Sequence, residues 1–292
     1  MKSNNFSRWV KIIVLLVCLG GITGLGFYLK DRYRLTQQIQ QADRLLAKKN
    51  YLAAIDTYNQ ILQTDIPQAD LLWVNRGYAF FGLNKYDDML QSCSQAIAIQ
   101  PKTALAWNCR GEALYNLKRD KEALEAFERA ITLDSQSIFW LNKAVALDRL
   151  EQYDRAILAS EKAIELSSRS EPHRAIAFFQ KGQSLLKIDR HRQALVAFEN
   201  SLASSPDYLP ARQGMAITLY KLGRYEQAIA AFEEILRSSD STQEQTTAML
   251  YKATSLCQIK KTTAAQKIFL EVIELTEDTQ LQKIARTGCG IR

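Results

Sequence analysis

Seven positions, spaced 33 to 38 residues apart, carry the same local pattern around a small or slender apolar residue: Ala54, Met89, Ala123, Ala156, Ala194, Ala228 and Ala265. Twelve residues before each stands a second small residue: Ala42, Gly77, Gly111, Ala144, Gly182, Ala216 and Ala253. Nine before it stands a large apolar one: Leu45, Phe80, Leu114, Leu147, Leu185, Leu219 and Leu256. Three columns held over seven copies constrain the fold more than any other feature. With only 12 Gly and 5 Pro in the chain, a period near 34 predicts an array of helix–turn–helix pairs.

The columns have a packing reason. At about 100° per residue, Trp107, Gly111 and Leu114 fall within about 60° of one another and form one stripe. The small residue lets the second helix of the pair come close, and the marker alanine does the same from the other side. Each pair is left with an apolar face that only the next pair can bury. The expected units are 35–69, 70–103, 104–136, 137–174, 175–208, 209–245 and 246–279, followed by a tail at 280–292. Trp73, Gly77, Trp107, Gly111, Ala123, Phe127, Trp140, Ala156, Gly182, Ala194 and Ala228 are read as core.

These residues resemble the tetratricopeptide repeat. Trp73, Trp107 and Trp140 open the first helix of the second to fourth units. Tyr58, Phe127, Phe198, Phe232 and Phe269 fill the later aromatic position, Ala96, Ala130 and Ala163 follow it, and Pro101 and Pro206 close two units. The resemblance covers about 35–279. It implies an all-α solenoid of about seven helix pairs, a right-handed superhelix with a groove lined by first helices, and protein or peptide partners. Cys93 and Ser160 replace the aromatic, and Met89 replaces the marker alanine. Extra residues at Glu171–Arg174 and Gln243–Gln245 lie between units and are expected to loosen the local superhelix.

Ahead of the repeats, residues 1–11 form a basic tail and Ile12–Leu29 is an eighteen-residue run without a charge. At 1.5 Å per residue it spans about 27 Å as a helix, near the bilayer core thickness. Trp9, Tyr28 and Tyr33 suit the interfaces, and 30–34 reads as a charged juxtamembrane linker. The expectation is a signal anchor in a single-pass membrane protein, with a cleaved signal peptide as the alternative. Lys2, Arg8 and Lys11 precede the run, while Lys30, Arg32 and Arg34 follow it, so the side of the membrane carrying the repeats stays open. Gly20 and Gly24 form a G-x-x-x-G that allows weak homodimerisation through the span.

Charge and cysteine usage exclude several function classes. The net charge of +7 sits mostly before residue 35, leaving a nearly neutral body and no concentrated basic face for nucleic acid. One local excess, Arg169, Arg174, Lys181, Lys187, Arg190 and Arg192, reads as a solvated face. The five cysteines are scattered without a C-x-x-C, which argues against a disulfide framework or a zinc site. Cys93 and Cys109 are expected as reduced thiols in the core. The chain lacks G-x-S-x-G, Walker and H-E-x-x-H motifs, so neither an enzyme, a cofactor nor a metal is expected.

Two positions after each tryptophan, roughly 200° round the helix, stand Gln40, Asn75, Cys109, Asn142, Gln180, Gly214 and Tyr251. Amides there could pair with the backbone of an extended peptide whatever its sequence. The expected partner-binding groove is Asn75, Tyr78, Asn108, Glu112, Tyr115, Asn116, Asn142, Arg149, Gln180 and Gln183. The carboxylate clamp found in co-chaperones that resemble this chain does not assemble, because Val74 and Tyr78 stand where its Lys and Asn would be. The expected function is a membrane-anchored scaffold that recruits partners through the groove. Two alternatives remain: a non-catalytic subunit of a membrane enzyme, and an exported binding protein.

Overall fold

The structure, a computed structural model, describes residues 30, 32–64, 66, 69–168 and 172–290. The basic tail, the apolar run at 12–29 and its G-x-x-x-G lie outside these residues. Among the described residues no helix is long and apolar enough to cross a membrane.

The described residues are all-α. First helices α1 (32–47), α3 (Asp70–Gly82), α5 (Ala104–Asn116), α7 (Ser137–Arg149), α9 (Pro172–Lys187), α11 (Leu209–Lys221) and α13 (Thr242–Gln258) alternate with second helices. The second helices are α2 (Tyr51–Leu62), α4 (Tyr86–Ile99), α6 (Asp120–Leu133), α8 (Tyr153–Leu166), α10 (His191–Ser204), α12 (Tyr225–Ser238) and α14 (Thr262–Leu275). Two compact units divide the chain, Met1–Lys118 and Arg119–Arg292.

The marker column is fully buried at all seven positions, and Tyr58, Phe127, Phe198, Phe232 and Phe269 are buried beside it. Trp73, Trp107 and Trp140 differ from the expectation of core: each is half-buried. The Trp107 and Trp140 indole nitrogens donate to Pro101 O at 2.9 Å and to Ser135 Oγ at 2.9 Å. A basic residue three positions on lies against each ring: Arg76 on Trp73 at 5.0 Å, Arg110 on Trp107 at 5.7 Å and Lys143 on Trp140 at 5.2 Å. An indole carries a polar end, and these sit where that end stays at the surface.

Each turn between a first and a second helix has one residue in the left-handed region: Lys49, Asn84, Lys118, Glu151, Asp189, Gly223 or Lys260. The next amide reaches back to the carbonyl of the large apolar column, as from Gln152 to Leu147 at 2.9 Å and from Arg224 to Leu219 at 3.0 Å. The marker amide then bonds the carbonyl four residues before it, as from Ala156 to Gln152 at 2.9 Å. A Schellman closure followed directly by a new helix therefore sets the spacing of nine between the two columns.

Two segments depart from their expected form. Residues 32–34, expected as linker, are helical and form the start of α1. The extra residues between units open first helices: His173 and Arg174 lie in the first turn of α9, and Gln243–Gln245 in the first turn of α13. The tail folds as α15 (Thr279–Thr287) and a 3-10 turn, Gly288–Gly290. The Asp278 carboxylate caps α15, accepting from Gln280 N at 2.8 Å and Leu281 N at 3.2 Å. Ala285 and Cys289 close over Phe269, and Cys289 is disulfide-bonded to Cys257 of α13.

Candidate functional site

The column two residues after the tryptophan is a seam between successive pairs, where an open groove face was expected. A first helix in a stack is covered by its own second helix and by the preceding pair, so the side opposite the tryptophan is also packed. In each unit of the chain the aromatic column of one pair meets this column of the next. The Phe232 ring stacks on Tyr251 with centroids 5.5 Å apart and an interplanar angle of 10°. Phe198 leaves no room for a β-carbon at Gly182 of its own pair or at Gly214 of the next; such carbons would stand 2.7 and 2.5 Å from the ring. Between α4 and α5 the same two positions are Cys93 and Cys109, joined as a disulfide beside Gly77, with Cα atoms 5.8 Å apart. The reduced-thiol expectation is corrected: the sixteen-residue separation gave no motif, and only the stacking of pairs brings the two together.

The seam reassigns four expected groove amides. Asn108 is only 2% exposed, and its Nδ2 donates to Glu112 Oε1 at 2.6 Å and Tyr78 OH at 3.4 Å. Gln180 is buried, while Asn75 and Asn142 are half-buried. Asn75 Nδ2 donates to Asp43 Oδ1 at 3.1 Å, and the buried Tyr58 hydroxyl donates to the same oxygen at 2.6 Å. An amide bonded inside its own stack offers a partner little, because the existing bond must break first.

The open face of the first unit is what remains. Tyr78, Glu112, Tyr115 and Asn116 are half-buried, and Phe81, in the register of Tyr115 one pair earlier, is 39% exposed. Asn116 Nδ2 donates to the Glu112 carbonyl at 2.8 Å, so Tyr78, Asn108, Glu112 and Asn116 form one hydrogen-bonded row. Burial, reinforced by the Glu112 charge, pushes the Tyr78 phenol well above its ordinary value, and it stays protonated and able to donate. Phe81 was missed in the sequence, although its register with Tyr115 could have found it.

In the second unit, Arg149 is exposed and Gln183 is half-buried. Arg149 Nε donates to Asp120 Oδ1 of the preceding second helix at 2.6 Å. A ladder of pairs crosses the stack there: Lys143 to Glu128 at 2.9 Å, Lys181 to Glu161 at 2.7 Å and Lys252 to Glu233 at 2.9 Å. Each joins the basic residue three after the tryptophan column to the carboxylate five after the marker of the preceding pair. Such exposed pairs are worth about 0.2–1 kcal/mol each and fix register more than stability. His191 opens α10 in the place of Tyr51, Tyr86, Tyr153 and Tyr225, with Nε2 3.4 Å from its turn neighbour Asp189. That is a turn-packing position.

Comparison with known proteins agrees with this architecture. Sequence models of the tetratricopeptide repeat match residues 39–102, 104–137, 138–169 and 185–249. Tetratricopeptide repeat protein 28 of Homo sapiens is 34% identical over 87 residues, which is 30% of this chain and 3% of that protein. The chain therefore spans a small fraction of that relative's length. Among solved structures, PilW, described as a widely conserved type IV pilus biogenesis factor, superposes with TM-score 0.67 at 20% identity, covering 75% of this chain and 99% of that one. The pilF protein of Pseudomonas aeruginosa gives 0.64 at 18%, covering 74% and 95%. A repeat protein fragment from Cytophaga hutchinsonii gives 0.61 at 17%, covering 84% and 98%. At these identities the likeness concerns the fold.

Proposed function

We propose that this chain, a tetratricopeptide repeat protein, is a membrane-held scaffold that binds a partner protein along the open face of its first helices. The observation that carries this reading is the row Tyr78–Asn108–Glu112–Asn116 bordered by Phe81 and Tyr115. Aromatic rings with a fixed hydrogen-bonding row provide area and orientation for an extended segment without a nucleophile or base. Partner recognition is assigned to Tyr78, Phe81, Glu112, Tyr115 and Asn116 in the first unit, and to Arg149 and Gln183 in the second. The apolar run at 12–29 supplies the anchor.

The cysteines favour one side of the membrane. Disulfides persist in oxidising compartments and are rare in reducing ones. Every cysteine among the described residues is paired, Cys93 with Cys109 and Cys257 with Cys289. This supports a repeat body on the oxidising side, with the basic tail of residues 1–11 on the reducing side.

A photocrosslinker at Phe81 or Tyr115, with controls at the exposed second-helix positions Leu52 and Glu125, tests the binding face in native membranes. Labelling of one discrete partner from the first pair of positions only is expected; equal labelling from the controls removes the face. Acid quenching of membranes, followed by alkylation and mass spectrometry, tests the side. Free thiols at all four positions would place the body in a reducing compartment, and a mature N-terminus beyond Leu29 would make the protein exported.

A further inference from the structure

The local basic excess has a structural use. Lys181, Arg190 and Arg192 converge on a cleft of about 460 Å³ between α8, α9 and α10, within the second unit. Its floor is apolar: Ile157, Leu185 and Ala197 are buried, and Phe178 is half-buried with the Arg174 guanidinium 5.3 Å from its ring. One wall is Val196, 55% exposed, and Gln193 and Asn200 line the rim.

A second observation points to the same place. Two residues after the marker, the second helices face solvent, and most carry a polar or small residue there: Asp56, Gln91, Glu125, Ala230 and Lys267. Only in the two second helices flanking this cleft is the position large and apolar. Leu158, 64% exposed, stands one helical turn from Glu161 on α8, and Val196 is its counterpart on α10. Nothing in the repeat's own packing needs these two side chains, since the marker and aromatic columns already fill the interior. An exposed apolar pair beside an apolar floor is a docking signal when the rim selects a partner.

The rim does select. Its carboxylate, Glu161, is held by Lys181 at 2.7 Å, and Arg190 reaches Asp154 at 3.2 Å. Among the described residues Arg192 has no carboxylate within 4.0 Å, so one guanidinium is left to meet an incoming acid. We infer that this cleft docks a short acidic peptide segment, one apolar side chain seated on Phe178, Leu185 and Val196 and a flanking carboxylate on Arg192. The bidentate geometry of a guanidinium suits a carboxylate, and the apolar seat requires a side chain beside it. This surface is separate from the Tyr78–Asn116 face, and the inference stands whether or not that face binds a partner.

The test uses the full chain in detergent and two fluorescent probes read by anisotropy. One is a short peptide with a phenylalanine flanked by glutamates, and the other is its match with lysines. Saturable binding of the glutamate probe alone is expected. Arg192→Glu and Val196→Glu, both at exposed positions, should each weaken it by on the order of tenfold. Leu52→Ala, at an exposed position of α2 that does not line this cleft, should leave it unchanged. Equal binding of the lysine probe, absence of saturable binding, or indifference to both substitutions overturns the inference. A single-stranded oligonucleotide that displaces the probe more strongly than unlabelled glutamate peptide would also overturn it, by making the cleft a phosphate site.

Discussion

Cys93 and Cys109 are bonded to each other at the two positions that Phe198 and Gly214 fill between α10 and α11. The flanking small residue is glycine in both places, Gly77 and Gly182. One seam of the first unit therefore uses a covalent bond where the second unit uses a ring slotted between two glycines. Removing the bond with Cys93→Ser and Cys109→Ser should cost about 3 kcal/mol for a loop of this size. The pair Cys93→Phe with Cys109→Gly rebuilds the glycine–ring–glycine arrangement and should recover most of that loss. Urea unfolding of the three proteins decides it. If the rebuilt pair is no more stable than the serine pair, the two seams are not equivalent.

The ring-and-glycine seam makes its own prediction. Phe198→Ala should cost about 3–5 kcal/mol, because the ring fills space between two helices that hold only glycine opposite it. Gly182→Ala or Gly214→Ala should cost about 1–3 kcal/mol by overpacking. Combining Phe198→Ala with Gly214→Ala should cost less than the sum of the two, since the added methyl then enters the space the ring vacated. A double-mutant cycle by thermal or urea unfolding measures that coupling.

Much of the repeat was legible because its columns are small or apolar for a reason visible in one dimension. The marker column could be read as buried from Ala123, Ala156 and Ala228 alone. The seam was not legible. Helical projection places Asn75, Asn142 and Gln180 opposite the tryptophan, but a single-helix projection has one buried side, whereas a stacked helix has two. The cysteine pairing was hidden for the same reason, since only the neighbouring pair makes Cys93 and Cys109 adjacent. The half-buried tryptophans are the converse case: their size argued for burial, and their indole N–H groups held them at the edge.

Turn conformation was also invisible, because the left-handed position carries Lys, Asn, Glu, Asp and Gly in different pairs. Gly223 has φ +73° and no atom within 4 Å of where a β-carbon would stand, so its cost to substitute is purely backbone. Gly223→Ala should destabilise by about 1–2 kcal/mol. Glu151→Gly, at φ +58°, should stabilise by about 0.5–1 kcal/mol despite the added freedom of the unfolded chain. Opposite signs at equivalent turns are the expected outcome in thermal unfolding. Equal signs would mean that the side chains, and not the backbone, set the energy of this turn.

The buried phenols give the stability a pH dependence with a definite sign. Burial, followed by the Glu112 charge, raises the Tyr78 pKa, and burial with the Asp43 contact raises that of Tyr58. A raised folded value means that the folded state holds the proton more tightly than the unfolded chain does. The contribution is present in full below the ordinary tyrosine pKa of about 10 and is lost as pH climbs beyond it. Urea midpoints should fall on going from about pH 9 to about pH 11, with lysine titration contributing equally in variant and parent. Tyr78→Phe removes one phenol and leaves the lysines untouched, so its midpoint should fall less steeply over the same range. Absorbance at the phenolate band should show that site missing from the late-titrating tyrosines. An unchanged slope in Tyr78→Phe would place the Tyr78 hydroxyl in contact with water, and the row through Asn108 and Glu112 would then lose the buried acceptor that ends it.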